Sequence, residues 1–263
     1  MPNTFYSRDA DILVLQSGQF TTTIKDSEDV SAVESGIQGI SFDSVDTPFT
    51  GLTNDKLYLE SGSFASTIKT SQSISGFSTT PTGISWDGTD TPHCGQTALP
   101  KLFLQSGQFT STLKSSSQRL DTLVGDGNPS GVTYDNPNTP FSGNGKDKLY
   151  LMSGQFTTTI KDSEATSPLG VDNVIGIDFD DPDTLWALSG ATDKLYLQSG
   201  EFTSTVKTSR DIGTEAPNDI ATSDVNDRLD VTTSSTTTSS STSTSSSTST
   251  STSTSSSTST STS

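Results

Sequence analysis

His93 is the only histidine and Cys94 the only cysteine among 263 residues, and they are neighbours, the two side-chain types that together make a nucleophile and its base. Adjacent residues in a strand point to opposite faces, which sets the two groups apart rather than in mutual hydrogen-bonding reach. One histidine also rules out triads elsewhere in the chain and any two-histidine metal site, and one cysteine rules out an intrachain disulfide and the CxxC motifs. A second candidate constellation is acidic. Asp178, Asp180, Asp181 and Asp183 crowd into six positions, a spacing similar to an Asp-x-Asp-x-Asp calcium loop but without its glycine and distal bidentate glutamate. Calcium is the only cofactor this pattern suggests. Paired carboxylates facing each other across a cleft would be the requirement for a glycosidase. Most of the aspartates instead recur at fixed intervals; Asp43, Asp87, Asp135 and Asp180 each end a short apolar segment, where an Asx turn accounts for them. Asp178 departs from that regularity, standing where other copies have Ser41, Ser85 or Thr133. A third set is aromatic: Phe49, His93, Phe141 and Trp186 occupy one recurring slot, suited either to stacking on sugar rings or to wedging a core.

What must position these groups is a repeat. The phrase ILVLQSGQFTTTIK from Ile12 returns as KLYLESGSFASTIK from Lys56, KLFLQSGQFTSTLK from Lys101, KLYLMSGQFTTTIK from Lys148 and KLYLQSGEFTSTVK from Lys194. Its glycines, Gly18, Gly62, Gly107, Gly154 and Gly200, are 44, 45, 47 and 46 residues apart. A second phrase alternates with it: GISFDSVDTPF from Gly39, GISWDGTDTPH from Gly83, GVTYDNPNTPF from Gly131 and GIDFDDPDTLW from Gly176. A period of about 40 to 50 residues built from short strands predicts a β-propeller, each blade having strands A to D. In the blade around Gly83, strand A covers Gly83 to Asp87 and strand B Thr91 to Cys94; in the preceding blade, strand C covers Lys56 to Glu60 and strand D Phe64 to Lys69. A tight Ser61-Gly62 turn would then set Leu59 opposite Phe64 and Leu57 opposite Ser66.

Four whole units fit between Gly39 and Ser209, and the chain ends hold pieces of a fifth. Residues 2 to 27 supply strands B, C and D, with Phe5 aligned to Phe49 by its distance from the following glycine, while the segment 218–224 supplies strand A without the usual glycine and aromatic. The expectation is an all-β, five-bladed propeller of four-stranded antiparallel blades over residues 1–231. Its ring is closed when the last strand joins the first three, which leaves no open sheet edge at the junction; the degenerate match of 218–224 leaves an open or oligomer-closed array as the alternative. Residues 232–263 are all serine or threonine, a disordered or extended tail, a stalk for O-linked glycans, or a polar tether.

The Gly-Ile-x-Trp/Phe-Asp strands resemble β-propeller repeats of the NHL and YVTN kind, a likeness that spans residues 2–231 and implies architecture more than activity. The KLYLQSG and GISWDGT phrases are also similar to repeats in uncharacterised proteins of environmental bacteria and phages. That resemblance implies a virion or surface protein.

Composition narrows the partners. The net charge of -17, from 31 acidic against 14 basic residues, repels nucleic acid. Nine of the ten lysines sit at two repeat positions, opening strand C (Lys56, Lys101, Lys148, Lys194) or closing strand D (Lys25, Lys69, Lys114, Lys161, Lys207), where charge protects an edge. The sequence starts without a basic region and apolar core of a signal peptide, and no apolar run of about 18 residues suggests membrane insertion. The connections from D to the next A vary, with Lys69 to Gly83 spanning 14 positions, Lys114 to Gly131 spanning 17 and Lys161 to Gly176 spanning 15, so binding is expected there. Together these features predict a non-enzymatic structural or attachment propeller at a virion or extracellular surface, with other structural proteins of an assembly or surface glycans as partners. A secreted or cell-surface lectin is the alternative, and a propeller glycoside hydrolase the third.

Overall fold

In a computed structural model, the described residues are 3–222 apart from 9–10, 19–22, 65–66, 77–78, 96–99, 109–111, 118, 135–137, 144, 155, 157, 168–172, 181–182, 189–192, 201, 203–204 and 213–215. The Ser/Thr segment lies outside them. The first strands are β1 (Thr4–Arg8), β2 (Ile12–Gln16) and β3 (Ile24–Asp29). The first whole blade follows as β4 (Ile37–Ile40), β5 (Thr47–Gly51), β6 (Lys56–Glu60) and β7 (Ile68–Ser73), and the second as β8 (Pro81–Ile84), β9 (Thr91–Gly95), β10 (Lys101–Gln105) and β11 (Leu113–Ser116). A one-turn helix, α1 (Leu120–Leu123), interrupts the connection to the third blade, β12 (Pro129–Val132), β13 (Thr139–Gly143), β14 (Lys148–Met152) and β15 (Ile160–Ala165). The fourth is β16 (Val174–Asp180), β17 (Asp183–Leu188), β18 (Lys194–Gln198) and β19 (Val206–Asp211), and β20 (Pro217–Thr222) ends the series.

These strands form five separate four-stranded sheets, and the fifth has the order β20-β1-β2-β3. The chain is therefore a five-bladed propeller closed as expected, with Thr4 opposite Thr222, Phe5 opposite Ala221 and Tyr6 opposite Ile220. The innermost strands β20, β4, β8, β12 and β16 neighbour one another around the axis. Glycine makes this possible: a Cβ built on Gly83 would lie 2.7 Å from the Gly131 Cα, 2.8 Å from the Ser130 carbonyl oxygen and 2.9 Å from the Val132 nitrogen, all backbone of the next inner strand. Gly39 and Gly131 meet their neighbours in the same way. Each strand C reads as one half-exposed lysine or isoleucine followed by four buried residues, whereas the outer strands such as β3 and β7 are exposed almost throughout. Apolar cores accordingly lie between blades, as in the cluster of Phe49 and Tyr58 with Leu13 and Leu15 of the closing blade.

Three local expectations are corrected. The Ser-Gly turn is not tight: Leu59 pairs with Thr70 and Leu57 with Gln72, so strand D runs over Ile68–Ser73 rather than 64–69. The loop is closed by Ser61 N–H donating to the Thr67 carbonyl at 2.8 Å, with Gly62 and Phe64 both at positive φ, +67° and +60°. Phe64 thereby folds back into the core, edge-on to Phe5 at 5.8 Å, and that burial offsets the cost of a left-handed aromatic residue. Secondly, the strand-D lysines open rather than close their strands, and lie at the opposite end of the hairpin from Lys56, which pairs with Ser73. Thirdly, the connection from β1 to β2 is shorter than its counterparts, so the residue equivalent to Phe49 is Tyr6 and not Phe5.

Candidate functional site

Phe49, His93, Phe141 and Trp186 all lie on the second strand of their blades, directly opposite Tyr58, Phe103, Tyr150 and Tyr196 of the third. Each pair stacks, with ring centroids 4.0 to 5.3 Å apart and planes within 17°. All four are wholly buried, 0% exposed, so the structure gives them to core packing and leaves no ring face open to a sugar. His93 and Cys94 point to opposite sides of β9. His93 stacks on Phe103, while the Cys94 sulfur accepts the Gly83 N–H at 3.0 Å and lies 3.0 Å from the Thr82 hydroxyl. Burial pushes the imidazole down to about 4 and the thiol up to about 12. A neutral imidazole and a neutral thiol on opposite faces do not form a nucleophile and base.

The acidic group separates in a similar way. Asp178, 1% exposed, accepts the Thr133 hydroxyl at 2.7 Å across the junction of third and fourth blades. Asp183 accepts the Gly200 N–H at 3.1 Å and pairs with the Lys207 ammonium at 2.5 Å. The Asp180 side chain and Asp181 lie outside the described residues, and among the described residues no three ligating side chains gather as a metal site. Asp178 and Asp183 thus make two unrelated contacts, one across a blade junction and one within a hairpin.

Asp183 belongs instead to a clasp present in every blade. Asn3, Asp46, Asp90, Asn138 and Asp183 accept the N–H of Gly18, Gly62, Gly107, Gly154 and Gly200, and the following threonine donates its hydroxyl to the carbonyl of that same glycine. The A–B turn is so tied to the C–D loop. Where the acceptor is aspartate, the strand-D lysine adds a charge: Lys69 to Asp46, Lys114 to Asp90 and Lys207 to Asp183. Burial alone would raise the Asp46 pKa, but the Lys69 ammonium and the Gly62 amide overcome it and hold the group below its ordinary value. Asp43 and Asp87 make the expected Asx turns, accepting the N–H groups of Val45 and Thr89 at 2.9 Å. The carboxyl and amide groups named here are thus engaged by the backbone and lysines of their own blades.

The opposite face, where B–C and D–A connections meet, is held by acids that the repeat did not single out. Asp11, Asp55 and Asp147, all at positive φ just before strand C, accept backbone N–H groups of the following D–A connection, from Gly36, Thr80 and Asn173. Buried Glu34 takes the Thr53 N–H at 3.0 Å and the Asn54 amide and Tyr58 hydroxyl at 2.8 Å. Burial, aided by that carboxylate, pushes Tyr58 up to about 12. Asp126 does the same in the third blade, accepting from the amides of Asn128 and Gly145 at 3.0 and 3.2 Å, beneath Tyr150. A Cβ on Gly51 or Gly143 would collide with Glu34 or Asp126, so each acid goes with a glycine on the strand beside it. The pairing of an acid in the D–A connection with a glycine after strand B was a signal available in the sequence.

Burial raises the Asp126 pKa against the opposing amides of Asn128, Gly145 and Lys146. A carboxyl whose folded pKa lies above its unfolded value favours the fold at low pH, and that contribution is lost as pH rises through the folded value. Asp126→Asn is therefore expected to shift the urea midpoint upward relative to the parent at pH 7, with the difference vanishing towards pH 3. A variant less stable than the parent at pH 7 would contradict this.

Asp219 is the residue that sequence reasoning left without a role. It occupies, in β20, the slot that Gly39, Gly83, Gly131 and Gly176 fill in the other inner strands; its Oδ2 accepts the Ile40 N–H at 3.1 Å, and it abuts Gly176 on the other side. The four glycines leave room at the axis for one side chain, and the closing strand supplies it. Asn218 adds a bond to the Ile37 carbonyl at 3.0 Å and Ser7 one to the Gln38 carbonyl at 2.5 Å, so the closing blade is fastened to the first by side chains as well as by packing.

No family model matches this chain, and no curated protein sequence matches it. Solved structures do. A chain from the crystal structure of a Nidogen/Laminin complex is similar with a TM-score of 0.54 at 10% identity, over 85% of this chain and 98% of that one. Myxococcus xanthus glutaminyl cyclase is similar with a TM-score of 0.50 at 12% identity, over 66% of this chain and 76% of that one. At such identities the likeness is one of fold.

Proposed function

We propose that the protein is a non-enzymatic structural or attachment module, a component of a phage particle or other virion, that binds its neighbours through the B–C and D–A face. The observation that carries this reading is the division of labour between the two faces: repeated clasps occupy the A–B and C–D turns, while the opposite face combines connections of unequal length with internal acids that hold them in place. Variable loops on a rigid support are where recognition is usually built. The composition of residues 232–263, all serine or threonine, suits that segment to tethering. The fold is shared with a glutaminyl cyclase and so decides nothing about catalysis; burial of His93 and Cys94 as neutral groups is what supports a non-enzymatic role. Likeness of the repeats to those of uncharacterised proteins of environmental bacteria and their phages agrees with a virion or surface setting, and the charge of -17 disfavours nucleic acid as a partner. The lectin reading loses its main support with the four aromatic residues enclosed.

Immunogold labelling of particles purified from the source culture tests the proposal. Label on intact particles, with a blank glycan array, is the expected result. Label confined to cells or soluble fractions, or saturable binding to one glycan, would overturn it in favour of the lectin.

A further inference from the structure

Each of the five sheets ends outward on its last strand, so β3, β7, β11, β15 and β19 are paired on one side only. The open edge of such a strand is a row of backbone donors and acceptors on which another strand can pair. Charge distinguishes the five edges. β7 and β11 carry one lysine each, Lys69 and Lys114, whereas β3 sets Lys25 against Asp26, Glu28 and Asp29, and β19 sets Lys207 and Arg210 against Asp211. Antiparallel, with Ser27 opposite Ser209, the edges of β3 and β19 match: Lys25 meets Asp211, Asp26 meets Arg210 and Asp29 meets Lys207. Opposed residues of antiparallel strands share a face of the sheet, and all three pairs come from this one register. A shift of one or two residues in either direction leaves no more than one attractive pair. Every residue of β3 but Glu28 is exposed, and in β19 every residue from Lys207 to Asp211 but Arg210. Asp29 takes the Ser31 N–H and Lys207 bonds Asp183, contacts that hold both side chains beside the edge, and Lys207 keeps 47% of its side chain exposed.

We propose that copies of this chain associate head to tail, β3 of one pairing with β19 of the next. Pairing either edge with itself is less well matched. A two-fold contact centred on Ser27 would oppose Asp26 to Glu28 twice, and one centred on Ser209 would join Lys207 to Asp211 twice but leave the acids of β3 uncompensated. β15 repeats part of the β3 pattern, yet Ala165 stands where β3 has Asp29, so the pair with Lys207 is lost. β3 and β19 lie in different blades, so a copy that has made one contact still presents the other edge, and the series continues to a closed ring or a filament. Contact between copies goes beyond attachment through the loops, and either holds without the other.

Sedimentation velocity of the purified full chain over a concentration series tests the contact. The parent should form larger species as concentration rises, and these should disperse at about 1 M salt, where the Debye length is about 3 Å. Asp26→Arg brings two cations together at the contact and Arg210→Asp two carboxylates, so each variant alone should lose at least about tenfold in association constant. Mixed in equal amounts, the two should associate as the parent does, because the reversed charges then face each other and the remaining contact is unaltered. Cysteine pairs give a second measurement without any change of charge. On a Cys94→Ser background, Ser27→Cys mixed with Ser209→Cys should oxidise to a crosslinked dimer of the two, while neither crosslinks alone. A parent that stays monomeric throughout the series, an Asp26→Arg variant that associates as the parent does, or a mixture that fails to recover association would each overturn the proposal. Crosslinked dimers of Ser209→Cys alone would also overturn it, in favour of two-fold pairing of β19.

Discussion

Gly83→Ala should be among the most damaging single-methyl additions in this chain, costing about 3 kcal/mol, the upper end of ordinary overpacking. The added Cβ would meet the Gly131 Cα at 2.7 Å, the Ser130 oxygen at 2.8 Å and the Val132 nitrogen at 2.9 Å, and none of these can swing aside as a side chain could. Relief requires β8 and β12 to separate, and since the inner strands form a ring, a shift at one junction is passed to the others. Gly76→Ala is the internal control, because a Cβ there meets nothing within 4 Å, and its effect should stay within about 0.5 kcal/mol. Urea denaturation of the two variants beside the parent measures both. Equal tolerance of the two substitutions would mean that the inner strands are not packed backbone to backbone.

Trp186→Ala is expected to cost about 3 to 5 kcal/mol, the range for emptying a large aromatic site. Trp186 stacks on Tyr196 at 4.0 Å with planes 7° apart and is enclosed by Leu149, Leu151, Val174, Ile177 and Phe202 from two blades. Trp186→Phe should recover most of the loss, since phenylalanine fills this slot at Phe49 and Phe141 and the indole N–H has no acceptor among the described residues. Particle binding, measured well below the melting temperature of each variant, should be unchanged in both. Loss of binding without loss of stability would instead make this aromatic slot a recognition surface.

Repetition made the architecture legible. Five copies of one hairpin phrase and four of one inner-strand phrase left few arrangements other than a ring, and the mismatched Asn218-Asp219-Ile220 segment could be placed as the closing strand because each chain end lacked what the other had. Register within the hairpin was less legible. Ser-Gly suggests a two-residue turn, yet Phe64, Phe156 and Phe202 take positive φ after the glycine, and only the buried site waiting for each ring makes that conformation worthwhile. The aromatic slot was correctly seen as special in the sequence, but whether Trp186 or His93 faces solvent depends on the neighbouring blade, which lies about 45 residues away along the chain. For the acids the repeat itself misled. Asp178 and Asp183 are close in sequence and belong to different tasks, whereas Glu34 and Asp126, which stand outside the repeated phrases, organise the loops.

Single-chain closure underlies every other statement about this molecule, and a designed crosslink tests it most directly. Thr4 and Thr222 are directly opposite on β1 and β20, and opposed residues of antiparallel strands have Cα atoms about 4.5 to 5.5 Å apart, within reach of a disulfide. With Cys94→Ser as background, a hydroxyl being what Ser142 already places at the equivalent position, Thr4→Cys with Thr222→Cys should oxidise to a crosslinked monomer with a raised melting temperature. Crosslinked dimers or larger species at low protein concentration, with little monomeric disulfide, would contradict closure within one chain and point to a ring completed by a second copy.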